Sequence, residues 1–251
     1  MTENHSESPS VALIHGAFAD AGSWAAVAER LLAVGVRVWV FANPLRGLAT
    51  DSAYVANAIS QIPGPVLAVG HSYGGAVITN AATTAANVVG LVYVAGFAPD
   101  ENETLGEVEG TSRDSALGPA LLPMQYPTGS GDEMATELYV NPASFYEVFA
   151  RDLPPGQAAV LGASQRPVAA AAFDEKNGVP AWKSLPSWAV VATGDKAAGA
   201  DVILSMAKRA GAEIVELDGS HVIMISQPEA VTDVILKALR AVRADQLRLR
   251  G

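Results

Sequence analysis

The sequence predicts an α/β fold, in which a mostly parallel central sheet is covered by helices on both faces. Short runs that are apolar at every position alternate with helical stretches, and strands buried on both faces are typical of parallel sheets. Half of the 251 residues are hydrophobic and 17% are charged, as in globular proteins with a sizeable core. One apolar run also leads through a Gly-His-Ser-Tyr-Gly turn directly into an alanine-rich helical stretch.

The individual elements follow from local patterns. Predicted strands are apolar runs bounded by turn residues, and they cover residues 11–14, 36–41, 66 to the glycine-rich turn, 88–95, 188–193 and 213–217. Predicted helices have apolar residues at helical spacing, and they cover about 23–34, 51–62, 73–86, 201–210 and 226–242. Asp51 or Ser52 is the predicted N-cap of the second helix, and Ser226 with Glu229 forms a predicted capping box on the last.

Residues 99–185 depart from this alternation. Glycine, proline and acidic residues are frequent there, and apolar residues occur in short helical bursts without a strand pattern. We therefore predict a helical cap, or lid, inserted at 99–185 into a core domain formed by residues 1–98 and 186–251. A loosely ordered excursion is the alternative, but long loops without structure are uncommon.

Composition excludes several classes of protein. The formal net charge of −10 disfavours a nucleic-acid partner and an anionic membrane, because both require clustered basic residues. Cysteine is absent and no histidine ligand cluster occurs, so we expect neither a metal nor another cofactor. Residues 1–10 are polar and no apolar run has the length of a membrane span, which predicts a cytoplasmic protein without a signal peptide.

The Gly-His-Ser-Tyr-Gly turn at residues 70–74 has the G-x-S-x-G pattern of a nucleophile elbow. In such an elbow the serine has a strained backbone between a strand and a helix, and glycines flank it because a Cβ there would collide with neighbouring backbone. Ser72 is therefore the predicted nucleophile. The alternative is a glycine-rich turn without a catalytic role.

A serine hydroxyl needs a base within hydrogen-bond reach, and the chain has four histidines. His5 lies in the polar leader, and His15 precedes a glycine at a strand end. His71 is inside the elbow, where we expect its side chain to point away from the serine's pocket. His221 follows the last strand and precedes the C-terminal helix, and it is the predicted base.

The base needs a carboxylate to orient it, expected in the chain order Ser, Asp or Glu, His. Asp195 directly follows the strand at 188–193 and is the preferred acid, although a turn-forming Gly-Asp pair would look the same. Asp100, just past the strand at 88–95, remains the rival. Asp218 lies too close to His221 along the chain to be favoured.

Acyl transfer also needs preorganised donors for the developing oxyanion, usually two backbone N–H groups. The elbow supplies the N–H of Tyr73. The loop that follows the first strand can supply the second, with Ala17 as the predicted donor and Gly16 allowing a tight turn.

With these features in order, the chain resembles the α/β-hydrolase fold superfamily over nearly its whole length. Residues 15–24, His-Gly-Ala-Phe-Ala-Asp-Ala-Gly-Ser-Trp, are similar to the His-Gly-Ala…Trp opening of the plant methyl esterase and hydroxynitrile lyase group. The resemblance implies the same nucleophile, acid, base and oxyanion donors: Ser72, Asp195, His221, Ala17 and Tyr73. The lyases carry threonine where this chain has Gly16 and lysine where it has Val222, so the resemblance implies ester hydrolysis rather than cyanohydrin cleavage.

We therefore expect a serine esterase that cleaves a small-molecule carboxylic ester through an acyl-enzyme. Hydroxynitrile lyase or perhydrolase chemistry at the same site, or a ligand-sensing protein built on this fold, are the alternatives. Apolar cap residues would contact the acyl or alcohol part of the ester: Met124, Tyr126, Phe145, Tyr146, Phe149 and Trp182. Natural substrate and oligomeric state are not determined by the sequence, and a homodimer stays open.

Overall fold

The computed structural model describes residues 8–250, and the polar leader with His5 lies outside the described residues. Within them the strands are β1 (Ser10–Ile14), β2 (Val38–Phe41), β3 (Val66–His71), β4 (Val88–Val94), β5 (Leu121–Pro127), β6 (Met134–Val140), β7 (Val168–Ala169), β8 (Ser187–Ala192) and β9 (Glu213–Leu217). Six of them form a parallel sheet in the order β2-β1-β3-β4-β8-β9. The predicted fold class is confirmed.

The α-helices of the described residues are α1 (Ala25–Ala33), α2 (Leu48–Ser60), α3 (Tyr73–Ala81), α4 (Leu105–Gly110), α5 (Leu117–Ala120), α6 (Pro142–Phe149), α7 (Pro155–Ser164), α8 (Ala171–Asp174), α9 (Ala200–Arg209), α10 (Ile223–Ser226) and α11 (Pro228–Arg250). Helices α1, α10 and α11 cover one face of the parallel sheet, and α2, α3 and α9 cover the other. Every residue of β1 and β3 is buried, because both faces of these strands pack against helices.

The chain between β4 and β8 contains both helices and strands. The expectation that it lacks strands is wrong, since β5, β6 and β7 form a three-stranded antiparallel sheet. Strand β5 contains two prolines and is largely exposed. It therefore has neither the apolar run nor the regular alternation of apolar and polar residues that would predict a strand. The segment is inserted between β4 and β8, which are neighbouring strands of the parallel sheet.

Two predicted helix caps are wrong. Ser226 ends the short helix α10, and α11 begins at Pro228, whose fixed φ suits a first helical position. Helix α2 begins after Gly47, so Asp51 lies in its first turn, where its carboxylate accepts from the Arg46 N–H. Within residues 8–250, none of the helices combines the length and the apolar character needed to span a bilayer.

Candidate active site

The elbow joins β3 to α3 at Ser72, which has φ 52° and ψ −125°. Positive φ is strained for a residue with a side chain, and the surrounding packing enforces it. A Cβ at Gly74 would lie 2.6 Å from the carbonyl oxygen of Ile14, and a Cβ at Gly70 would collide with the carbonyl of Gly74. Strand, turn and helix are therefore packed backbone against backbone, which accounts for both glycines that flank the serine.

His221 and Asp195 are brought together by the loops that follow β9 and β8. His221 Nδ1 lies 2.7 Å from Asp195 Oδ2, and each side chain is almost completely buried. The other carboxylate oxygen of Asp195 accepts from the backbone N–H groups of Ala197 and Ala198, at 2.9 and 3.0 Å. Because a carboxylate can only accept here, the Nδ1–H of His221 donates and Nε2 is left to accept a proton.

The rival acid, Asp100, lies elsewhere. Its carboxylate pairs with Lys183, with Oδ1 at 2.6 Å from Nζ, in a partly exposed ion pair. The hydrogen bond from Lys183 holds the pKa of Asp100 below its ordinary value. Asp195, and not Asp100, therefore contacts the imidazole of His221.

Ser72 forms no hydrogen bond through its Oγ with any of the described residues. Its neighbour in the elbow, His71, places Nε2 at 2.9 Å from the carbonyl oxygen of His221. The centroids of the two imidazole rings are 4.7 Å apart. Nucleophile and base distances are often loose in the absence of substrate and tighten only in the reacting complex.

The two predicted oxyanion donors are the backbone N–H groups of Ala17 and Tyr73. In the part of the chain that the structure describes, neither the N–H of Ala17 nor that of Tyr73 has a hydrogen-bond partner. Tyr73 is the first residue of α3, so its N–H also carries the positive end of the helix dipole. A Cβ at Gly16 would lie 2.6 Å from the Cβ of Ser72, which places the loop before Ala17 in direct contact with the elbow.

His15 stabilises this loop. Its Nδ1 lies 2.8 Å from the carbonyl oxygen of Gly16, and its Nε2 accepts from the N–H of Asn43 at 2.9 Å. Burial lowers the pKa of His15 to about 4, so the ring is neutral near pH 7 and forms both contacts with one proton. Of the four histidines, His15 therefore has a structural role in holding the loop.

A small cavity of about 20 Å³ lies between the loop that follows β1, the helices α6 and α7, and the start of α10. It is lined mainly by apolar side chains, among them Phe18, Phe145, Phe149, Leu161, Val222 and Ile225. Phe149 also lies against His221, with ring centroids 4.7 Å apart. Of the apolar candidates from the sequence, Phe145 and Phe149 line the cavity, and Tyr146 packs against the core. The others lie elsewhere: Met124 is half exposed, Tyr126 stacks on Arg46, and Trp182 donates to the carbonyl of Pro99.

Sequence reasoning missed three residues that hold the site together. His71 is predicted to point away from the serine's pocket, and its ring contacts the backbone carbonyl oxygen of His221. Asp152 accepts hydrogen bonds from Ser220, the residue directly before His221, and neither Asp152 nor Ser220 belongs to a motif. For His71 a signal existed, since a histidine inside an elbow is buried and must find a partner.

An all-parallel sheet with a strained serine at the end of β3, followed along the chain by a buried Asp–His pair, defines an α/β-hydrolase fold. The model of the alpha/beta hydrolase family matches residues 11–234, and the chain belongs to this family.

Solved structures agree with this assignment. The crystal structure of polyneuridine aldehyde esterase has a TM-score of 0.77 at 18% identity, covering 92% of this chain and 99% of its own. A pyrethroid hydrolase from Sphingobium faniae JZ-2 has a TM-score of 0.74 at 20% identity, and the match covers 93% of this chain and 98% of the hydrolase. Tomato methylketone synthase I has a TM-score of 0.74 at 19% identity, and the match covers 94% of this chain and 99% of the synthase. At such identities the likeness shows the fold alone, and no curated protein matches the chain in sequence.

Proposed function

We propose that this protein is a serine esterase that hydrolyses a small carboxylic ester. The observation that carries the proposal is the buried hydrogen bond between His221 Nδ1 and Asp195 Oδ2, formed beside the elbow of Ser72. A buried carboxylate that orients an imidazole next to a strained, glycine-flanked serine is the arrangement that activates a hydroxyl for attack on a carbonyl. The names of two similar structures, polyneuridine aldehyde esterase and a pyrethroid hydrolase, agree with hydrolytic chemistry.

In the proposed acylation step, Ser72 Oγ attacks the carbonyl carbon of the ester while His221 Nε2 takes the hydroxyl proton. Asp195 keeps Nδ1–H oriented and stabilises the imidazolium that forms. The N–H groups of Ala17 and Tyr73 donate to the oxyanion, for which they have no competing partner in the described residues. His221 then donates its proton to the departing alkoxide as the bond between the carbonyl carbon and the alcohol oxygen breaks.

Deacylation reverses these roles. His221 takes a proton from a water molecule, which attacks the acyl carbon, and the same two N–H groups stabilise the second oxyanion. When the ester bond to Ser72 breaks, its Oγ regains the proton from His221 and the carboxylic acid leaves. No step requires a metal or another cofactor.

Two residues support ester hydrolysis over cyanohydrin cleavage. A Cβ at Gly16 would lie 2.6 Å from Ser72 Cβ, so a threonine such as the lyases carry does not fit without displacing the elbow. Val222 is buried and lines the apolar cavity, where the lyases have a lysine.

The decisive experiment combines turnover with labelling. Wild-type protein should hydrolyse p-nitrophenyl acetate or butyrate, and a fluorophosphonate probe should modify Ser72, as located by peptide mapping. Ser72→Ala should lose both properties while it keeps the circular dichroism spectrum of the wild type. Ser60→Ala, in an exposed turn of α2, is the matched control and should keep both. Hydrolysis that persists in Ser72→Ala would rule out the serine mechanism.

A further inference from the structure

A residue of the inserted segment holds the backbone directly before the proposed base. Asp152 lies just after α6, and its Oδ2 accepts from the N–H of Ser220 at 2.9 Å. Its other oxygen accepts a short hydrogen bond from the hydroxyl of the same serine. One carboxylate therefore fixes both the main chain and the side chain of Ser220, which is itself buried.

Further contacts hold the same stretch of chain. The Ser220 hydroxyl also lies 3.3 Å from the carbonyl oxygen of Phe149, and the Phe149 ring packs at 66° on the imidazole of His221. His71, in the elbow, contacts the carbonyl oxygen of His221. The backbone around His221 is thus held between the elbow and the inserted segment.

We propose that Asp152 is a positioning residue for His221, so that docking of the inserted segment and alignment of the base are coupled. This inference rests on the proposed esterase function. The N–H from which Asp152 accepts lies in the Gly219–Ser220 peptide, one peptide unit before the one that joins Ser220 to His221. Loss of this carboxylate therefore releases the main chain directly before the base. Misplacement of a catalytic group by about 1 Å can lower the rate by about 10²-fold.

Asp152→Ala tests the coupling, with Asp152→Asn as the conservative variant. The adjacent Arg151→Ala is the matched control, because Arg151 pairs with Glu147 on the exposed surface. Among the described residues it forms no hydrogen bond with the loop that carries His221. Fluorophosphonate labelling to completion counts the active sites, so kcat can be expressed per labelled site. A role confined to stability would lower the melting temperature and the number of labelled sites, but would leave kcat per labelled site unchanged.

We expect Asp152→Ala to lower kcat per labelled site by about tenfold or more, with a smaller change in KM. Asp152→Asn should recover part of this loss, since its amide oxygen can still accept from the Ser220 N–H. Arg151→Ala should stay within about twofold of the wild type. A kcat per labelled site within about twofold of the wild type in Asp152→Ala would overturn the inference.

If Asp152→Ala does not fold, Ser220→Ala carries the test, because it removes the hydroxyl contact and keeps the backbone N–H. A reduced kcat per labelled site supports the inference, and an unchanged value in both Ser220→Ala and Asp152→Asn overturns it. Failure of the proposed function is distinguishable, since hydrolysis would then persist in Ser72→Ala. Hydrolysis that requires Ser72 but is unaffected by these variants contradicts the positioning role alone.

Discussion

His71 Nε2 lies 2.9 Å from the carbonyl oxygen of His221, so the residue before the proposed nucleophile supports the backbone of the proposed base. His71 is completely buried, and burial lowers its pKa well below the ordinary value of 6.5, with the proximity of His221 as a further cause. The neutral ring has one N–H, and this N–H donates to His221. This buried hydrogen bond thereby joins the elbow to the base loop.

His71→Leu should remove this donor and leave the carbonyl of His221 without a partner. An unsatisfied buried acceptor costs about 1–3 kcal/mol, and we expect a decrease of that size in the free energy of unfolding measured in urea. We also expect kcat to fall by about tenfold as the base loop relaxes. His71→Gln keeps an N–H donor and should retain most of both quantities. If His71→Leu is as stable and as active as the wild type, the hydrogen bond has no such role.

The buried histidines should make the fold sensitive to acid. His15 has a folded-state pKa of about 4 against 6.5 in the unfolded chain, so below pH 6.5 the unfolded state binds a proton that the folded state does not. The free energy of unfolding therefore decreases as pH falls from about 6.5 to 4, by up to about 1.4 kcal/mol per pH unit for this histidine.

His15→Gln removes this titration while keeping a donor and an acceptor. Between pH 6.5 and 4, its free energy of unfolding should fall less steeply with decreasing pH than that of the wild type. Urea unfolding at several pH values measures both slopes, so a uniform loss of stability in the variant does not obscure the comparison. Equal slopes would contradict a neutral, buried His15.

Gly16→Ala should displace the nucleophile. The new Cβ would lie 2.6 Å from Ser72 Cβ and 2.9 Å from the carbonyl oxygen of His71, and neither neighbour is a flexible side-chain end. We expect kcat/KM for a p-nitrophenyl ester to fall by about 10²-fold. Gly156→Ala in α7 is the matched control, because nothing lies within 4 Å of its added Cβ, and it should leave kcat/KM unchanged. Equal activities of the two variants would contradict the close approach of Gly16 to the elbow.

Asp195→Asn should separate the two candidate acids. An amide at this position cannot hold Nδ1–H of His221 as a carboxylate does, and the wrong tautomer lowers kcat by about 10³–10⁴-fold in comparable triads. Asp100→Asn disrupts only the partly exposed pair with Lys183 and should leave kcat within about twofold of the wild type. Steady-state kinetics on one chromogenic ester measures both variants. A large loss in Asp100→Asn alone would make Asp100 the acid instead.

Much of the fold is predictable because its signals are local. The buried strands of a parallel sheet are apolar throughout, and the elbow is recognisable by the glycines that its close backbone packing requires. Helix starts were harder to predict. Asp51 has the chemistry of an N-cap, but its carboxylate instead accepts from the Arg46 N–H and the Tyr73 hydroxyl, a partner that only tertiary packing brings near.

By itself the sequence determined the α/β class, the order of the elements and the short list that contains Ser72, Asp195 and His221, because each has a local pattern or few competitors. The tertiary structure decided which carboxylate contacts His221, and it revealed strands β5–β7 in the inserted segment. It also showed how the base loop is held. The contacts from His71 and Asp152 join residues 150 and 68 positions apart, and no local pattern encodes a contact at such a separation.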